Sequence, residues 1–354
     1  MRTSLMITSH VTAIGLTLSL LAITQPAFAG DQLTVTAGGG AFQQVLRKAI
    51  FDPFSKASGI KVADTEYDYG LAKIRAMVET KTVSWDVVLA SESGVRQLCA
   101  DGVIETINWK KLGLNRAKFD GADYTECGVP AGVAGTVVAY DRDRLSNGPK
   151  SIADFFDLNK FPGKRGLYKN PGVNLEWALI ADGVPVKDVY KVLNTPAGVD
   201  RAFKKLDTIK KDVIWWTAGA QPPQLLADRQ VVMSQAWNAR IYDAVRNSGR
   251  HFEIMWDTAI LNGNAWVIPK GSPRLDDAYE FIGFAGSAQA QADVASYSAL
   301  GPSNKDSMGL VDQVVLPHLP NAPSHVGSTL LIDSSFWTEK GDELRQRFDA
   351  WLTK

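Results

Sequence analysis

The chain has 354 residues, with 38 lysines and arginines against 38 aspartates and glutamates. So even a balance lacks the basic excess that nucleic acid or an anionic membrane surface recruits, and neither is expected as a partner. The four histidines fall in no HExxH or zinc-like spacing, and there is no GxSxG, P-loop or dinucleotide fingerprint. No metal, no cofactor and no catalytic residue are therefore expected. Ser58-Gly59-Ile60-Lys61 formally matches SxxK, but it lies on a helix-to-strand turn without the other motifs of that enzyme class.

The chain starts MRTSLMITSHVTAIGLTLSLLAITQPAFAG, where Arg2 is the only charged side chain before Asp31. An apolar stretch over residues 11–23 leads to Ala27-Phe28-Ala29, small residues flanking a cleavage point. A basic start, a short apolar middle and an A-x-A end describe a secretory signal peptide, residues 1–29. The apolar stretch is shorter than the roughly 20 residues that cross a bilayer. No cysteine follows the cleavage point to take a lipid. The expectation is an exported, periplasmic chain from about Gly30, whose 37 basic and 38 acidic groups leave it at −1 once Arg2 is removed. Cys99 and Cys127 are the only cysteines. In an oxidising compartment such a pair is expected as a disulfide.

The mature chain suffices for two domains at roughly 100–200 residues each. Residues 33–37 form a β-rich run ending in Gly38-Gly39-Gly40, and Phe42, Val45, Leu46, Ala49 and Ile50 recur at helical spacing. Asp52-Pro53 restarts a turn, Gly59 ends it, and a second strand begins at residues 60–62. Leu71, Ile74 and Val78 mark a helix, residues 85–90 a buried third strand, and a further helix runs from Ser91 or Ser93 to Cys99. This alternation predicts a parallel sheet covered by helices. AGVAGTVVAY, residues 131–140, is a strand connecting two lobes. Further elements are predicted over residues 199–209, 213–216, 222–227, 231–236 and 261–269. Helices follow over 278–285 and 288–296, and an amphipathic terminal helix over 341–352 carries Leu344, Phe348 and Trp351.

Nine segments in one order resemble the spermidine/putrescine-binding group of periplasmic substrate-binding proteins of ABC importers. They are LTVTAGGGAFQ (33–43), FDPFSKASGIKV (51–62), YDYGLAKIRAMVE (67–79), WDVVLASES (85–93) and FPGKRGLYKNPGVNLEWALIADGV (161–184), then WWTAGAQPPQLL (215–226), VVMSQAWNAR (231–240), NAWVIPKGSP (264–273) and LGPSN (300–304). The resemblance implies an α/β, type II two-lobed clamshell, each lobe a mixed, mostly parallel sheet flanked by helices. It also implies a small solute held between the lobes and an inner-membrane ABC permease as partner. The boundaries expected are 30–135 plus 265–330 for lobe 1, 136–264 for lobe 2, and 331–354 for a C-terminal helical segment. The connections near 131–140 and 261–267 are the expected hinge, and a monomer is expected. Delivery to a sensor instead of an importer stays open.

Departures from that group bear on the solute. Polyamine binders carry an aromatic where Gly38 stands, acids where Asn170, Val173 and Asn264 stand, and an aromatic near Leu300. Burying ammonium groups without carboxylates costs several kcal/mol each, which disfavours a polyamine. Arg240, three residues after Trp237 in a segment that lines the family's cleft, can clamp a carboxylate bidentately or make a salt bridge. Trp237 offers a stacking face. Ser91 can face an anion or simply cap a helix. Glu92 can meet an ammonium or remain solvated. Gly39 and Gly40 permit close backbone approach to a ligand, though a tight turn also explains them. Gln221, Asn170, Asn262 and Asn264 are neutral hydrogen-bonding groups. Trp215 and Trp216 face opposite ways, one of them into a core. Tyr67 and Tyr69 have no assigned role. The expected ligand is a small carboxylate-bearing amine, an amino acid or a solute of the 4-aminobutyrate type, with a polyamine as the alternative.

Overall fold

The computed structural model describes residues 32–121, 126–325, 327 and 329–354. The signal peptide expected over residues 1–29 lies outside them. Nine strands form one sheet. In the first half lie β1 (Gln32–Gly38), β2 (Lys61–Tyr67), β3 (Val87–Ser91) and β4 (Val129–Asp141). The rest are β5 (Arg165–Tyr168), β6 (Val213–Trp216), β7 (Met233–Trp237), β8 (Phe252–Val267) and β9 (Thr329–Leu331). The order is β2-β1-β3-β8-β4-β7-β5-β6, with β9 added beside β8.

Each end of this sheet is parallel, as strand–helix–strand connections require: β1 pairs with β2 and β3, and β5 with β6 and β7. The middle is antiparallel. Strands β4 and β8 pair from Val129↔Trp266 to Asp141↔Phe252 and so cross from one half of the molecule to the other. Their register shifts between Thr136 and Val138. Thr258, on the β8 side of that irregularity, has φ 55°. The three extra residues on β8 break the period-two pattern. That is why the sequence shows only the second half of β8 as a strand.

Two large cores flank the crossing. One gathers Leu33, Val35, Phe51, Phe54, Phe281 and Ile282. The other gathers Phe155, Trp177, Leu179 and Phe203, and takes Phe336, Leu344 and Phe348 from the terminal helix. That helix runs Ser334–Leu352, longer than expected, because Asp333 accepts from the Phe336 N–H at 3.0 Å and caps it. The interior Gly341 costs about 1 kcal/mol relative to alanine, which the buried face offsets. Trp215 packs edge-on against Phe348 and Trp351 of this helix. Fully buried Glu176 accepts from Trp337 Nε1 at 2.7 Å and from the Tyr190 hydroxyl at 3.1 Å, tying the terminal helix to helix Asn174–Ala181. Cys99 and Cys127 are bonded, with Cα atoms 5.7 Å apart, and close the segment between helix Glu92–Ala100 and β4.

Candidate functional site

Ligands of open α/β sheets sit outside the carboxyl ends of the strands, and here those ends meet over the crossing strands. Side chains directly opposite across a ladder share a face and alternate along each strand. Trp237 at the end of β7 pairs with Thr136, which also pairs with Ile260. Two and four residues along β8, Asn262 pairs with Ala134 and Asn264 with Gly132. Asn264 pairs on its other side with Ser91, the last residue of β3. The register therefore puts Trp237, Thr136, Asn262, Asn264 and Ser91 on one face of the sheet. Ala134, Thr136, Asn262 and Asn264 remain only partly buried, so this stretch of sheet makes an open polar floor. Thr136 was not singled out in the sequence, although the alternation in AGVAGTVVAY carries it.

Trp237 is 36% exposed. It stands edge-on to Trp216 (5.8 Å, 87°) and to Tyr168 (6.2 Å, 69°), which stack on each other at 4.6 Å. Its ring lies on Gly219, where a Cβ would come within 2.2 Å of it. Trp216 is the buried member of the Trp215–Trp216 pair and supports Trp237 from below. Helix Asn238–Ser248 starts at once after Trp237. Buried Asn238 fixes its start: Oδ1 accepts from the Gly135 N–H at 3.0 Å, and Nδ2 donates to the Ala299 carbonyl at 2.8 Å. Sequence reasoning missed Asn238, whose only signal is its place between Trp237 and Arg240.

Arg240, in the first turn of this helix, is partly buried. Among the described residues no ion pair or hydrogen bond holds its guanidinium. Its charge acts on two neighbours. Burial raises the Asp243 carboxyl, and Arg240 and Arg246 oppose that shift. Burial also raises the Tyr69 phenol, and the Gly38 backbone and Arg240 oppose it. Arg240 thus lies within electrostatic reach of Tyr69, which the chain presents from the loop after β2.

The remaining expected residues have local duties. The Ser91 hydroxyl caps helix Glu92–Ala100, accepting from the Gly94 N–H at 3.3 Å. Glu92 is only 5% exposed, so of its two readings, meeting an ammonium or remaining solvated, the solvated one is excluded. Its Oε1 accepts from Ser334 at 2.7 Å and lies 3.6 Å from Arg96. Its Oε2 sits 3.3 Å from where a Cβ of Gly263 would stand, on the face of β8 opposite Asn262 and Asn264. The close approach at Gly39 and Gly40 comes from Glu66: its Oε1 accepts from the Gly40 N–H at 3.1 Å, and a Cβ at Gly39 would meet Oε2. Asn170 Oδ1 closes a turn on the Gly172 N–H at 2.9 Å. Gln221 Oε1 accepts from the Thr217 and Ala218 N–H groups at 2.7 and 2.8 Å. Both amide oxygens are occupied within their own loops.

An aromatic face, a floor of neutral amides and hydroxyls, and a guanidinium that makes no close salt bridge or hydrogen bond among the described residues form a candidate site for a small polar solute. Fold and site together define a two-lobed α/β solute-binding protein. The chain belongs to the bacterial extracellular solute-binding protein family, whose model matches residues 49–315. It is 40% identical over 346 residues to the gamma-aminobutyric acid-binding protein of Pseudomonas aeruginosa, covering 98% of this chain and 97% of that one. It is 23% identical over 248 residues to the spermidine/putrescine-binding periplasmic protein of Salmonella typhimurium, covering 66% of this chain and 68% of that one. A solved GABA receptor matches with TM-score 0.82 at 36% identity, covering 91% of this chain and 98% of that one. A solved ABC transporter substrate-binding protein from Bradyrhizobium japonicum matches with TM-score 0.83 at 32% identity, covering 90% and 99%.

Proposed function

We propose that this chain is the periplasmic solute-capturing component of an ABC importer, that it performs no catalysis, and that its solute is a small carboxylate-bearing amine of the 4-aminobutyrate type. The observation that carries this reading is Arg240, partly buried three residues after exposed Trp237 and in no close salt bridge or hydrogen bond among the described residues, with Asp243 as its electrostatic neighbour. A guanidinium in that setting binds a carboxylate through two parallel hydrogen bonds, while an indole face covers the apolar methylenes. The name of the Pseudomonas relative, and that of the solved GABA receptor, support the same chemistry.

Asn170, Val173 and Asn264 offer no negative charge, which disfavours the polyamine named for the Salmonella relative. Captured solute contacts both lobes and biases them toward closure about the β4–β8 crossing, and an inner-membrane permease takes the closed form. Lobe 1 comprises residues 30–135 and 265–330 and lobe 2 residues 136–264. The terminal helix goes with lobe 2 through Phe336, Leu344 and Phe348. A thermal-shift panel of amino acids, ω-amino acids, polyamines and organic acids tests the reading. The largest stabilisation is expected from 4-aminobutyrate or a near homologue, and a panel in which only polyamines stabilise the protein contradicts it.

A further inference from the structure

Tyr69 has no part in the packing of either large core, yet the fold holds it in an uncommon pose. Its φ is 64°, the left-handed region that a bulky side chain avoids unless its surroundings impose it. Its ring lies directly on the end of β1. A Cβ built on Gly38 would come within 2.5 Å of the phenolic oxygen and within 2.6 and 2.8 Å of two ring carbons. Only glycine at position 38 leaves room for it. On its other side Tyr67, 5.1 Å away between ring centroids, is fixed by its own hydroxyl, which donates to the Leu89 carbonyl at 2.7 Å. Tyr67 has used its proton.

Tyr69 has not. Burial raises its pKa, and the Gly38 backbone and Arg240 oppose the rise. Its hydroxyl carries one hydrogen to donate. The residue stays 37% exposed, although its polar end is desolvated against the Gly38 backbone. Among the described residues nothing accepts that hydrogen. Within electrostatic reach of it is Arg240, whose guanidinium likewise has no hydrogen-bond acceptor among the described residues. Two donors from opposite halves of the fold, both without an acceptor, suit an anion with two oxygens.

We propose that Tyr69 is a specificity-determining ligand contact, whose hydroxyl donates to the same solute carboxylate that Arg240 grips from the other lobe. This rests on the function proposed above and adds to it that a single anion bridges the lobes. Gly38 has a role of its own here, since it makes the space in which the phenol lies.

Calorimetry on the full exported chain tests this, with 4-aminobutyrate as probe and n-butylamine as the probe lacking a carboxylate. Tyr69→Phe keeps the ring and removes only the donor. It should weaken 4-aminobutyrate binding about tenfold or more, leave n-butylamine binding unchanged and leave the ligand-free melting temperature unchanged. Gly38→Ala should weaken 4-aminobutyrate to a similar degree by displacing the ring. In a double-mutant cycle with Arg240→Ala the losses should not add, because both groups hold one carboxylate. If Arg240→Ala loses affinity while Tyr69→Phe binds as wild type does, the role of Tyr69 is overturned and the proposed function stands. If the wild-type protein binds no carboxylate-bearing amine, both fall together.

Discussion

Replacing Glu176 with glutamine should make the protein more stable above neutral pH and flatten its pH dependence below. Burial pushes the Glu176 carboxyl up from 4.5 to about 7, against hydrogen bonds from its own backbone, Trp337 and Tyr190 that favour the charged form. Its second oxygen, Oε2, has no partner among the described residues. The native state therefore keeps a proton there until about pH 7, while the unfolded chain releases it near 4.5. Because the folded value is the higher one, stability falls as pH rises through this interval and is level above it. At about 1.4 kcal/mol per pH unit, the interval amounts to about 3 kcal/mol. Glutamine keeps an oxygen for Trp337 Nε1 and the Tyr190 hydroxyl and carries no proton to lose. Urea unfolding of both proteins at about pH 5 and about pH 8 isolates the effect, since other titrating groups cancel in the difference. The variant should gain on wild type by about 3 kcal/mol between those conditions. Equal pH slopes in the two proteins would refute the reasoning.

Two further outcomes follow from the packing. Mass spectrometry of alkylated, unreduced protein should find no free thiol, and Cys99→Ser should cost about 3–4 kcal/mol in the chain-entropy model for a loop of this length; two labelled cysteines in folded protein would overturn the pairing. Trp237→Ala should lower solute affinity about tenfold by removing the stacking face, and should abolish the change in tryptophan fluorescence on binding; a folded variant that binds normally removes Trp237 from the site.

Much of the fold was legible because local rules decided it. Gly59 and Ser91 mark helix boundaries in the sequence, and the structure places boundaries there, whereas Asp52-Pro53, read as a cap, lies inside a helical run that continues from Ala41 to Ser58. The apolar run at residues 87–90 is a central strand, as its composition requires. What stayed hidden was set by long-range pairing. Phe252–Ile260 belongs to β8 only because β4 runs beside it, and the Thr258 irregularity hides its alternation. The burial of Glu92 was hidden because its partner Ser334 lies 242 residues away. In the candidate site, Trp237 and Arg240 were visible through their shared segment. Tyr69 and Thr136 were not, since only the sheet register and the empty space at Gly38 give them a place.

The central claim is that Arg240 holds the carboxylate of a small amine. Isothermal titration calorimetry of wild type, Arg240→Ala and Arg240→Lys with 4-aminobutyrate and with putrescine tests it most directly. Truncating a hydrogen-bonded charged partner costs roughly 1.5–3 kcal/mol, so Arg240→Ala should bind 4-aminobutyrate about ten- to a hundredfold more weakly. Arg240→Lys should recover only part of that loss, because an ammonium lacks the planar fork. Putrescine bound more tightly than any amino acid by the wild-type protein, and more tightly still by Arg240→Ala, would contradict it.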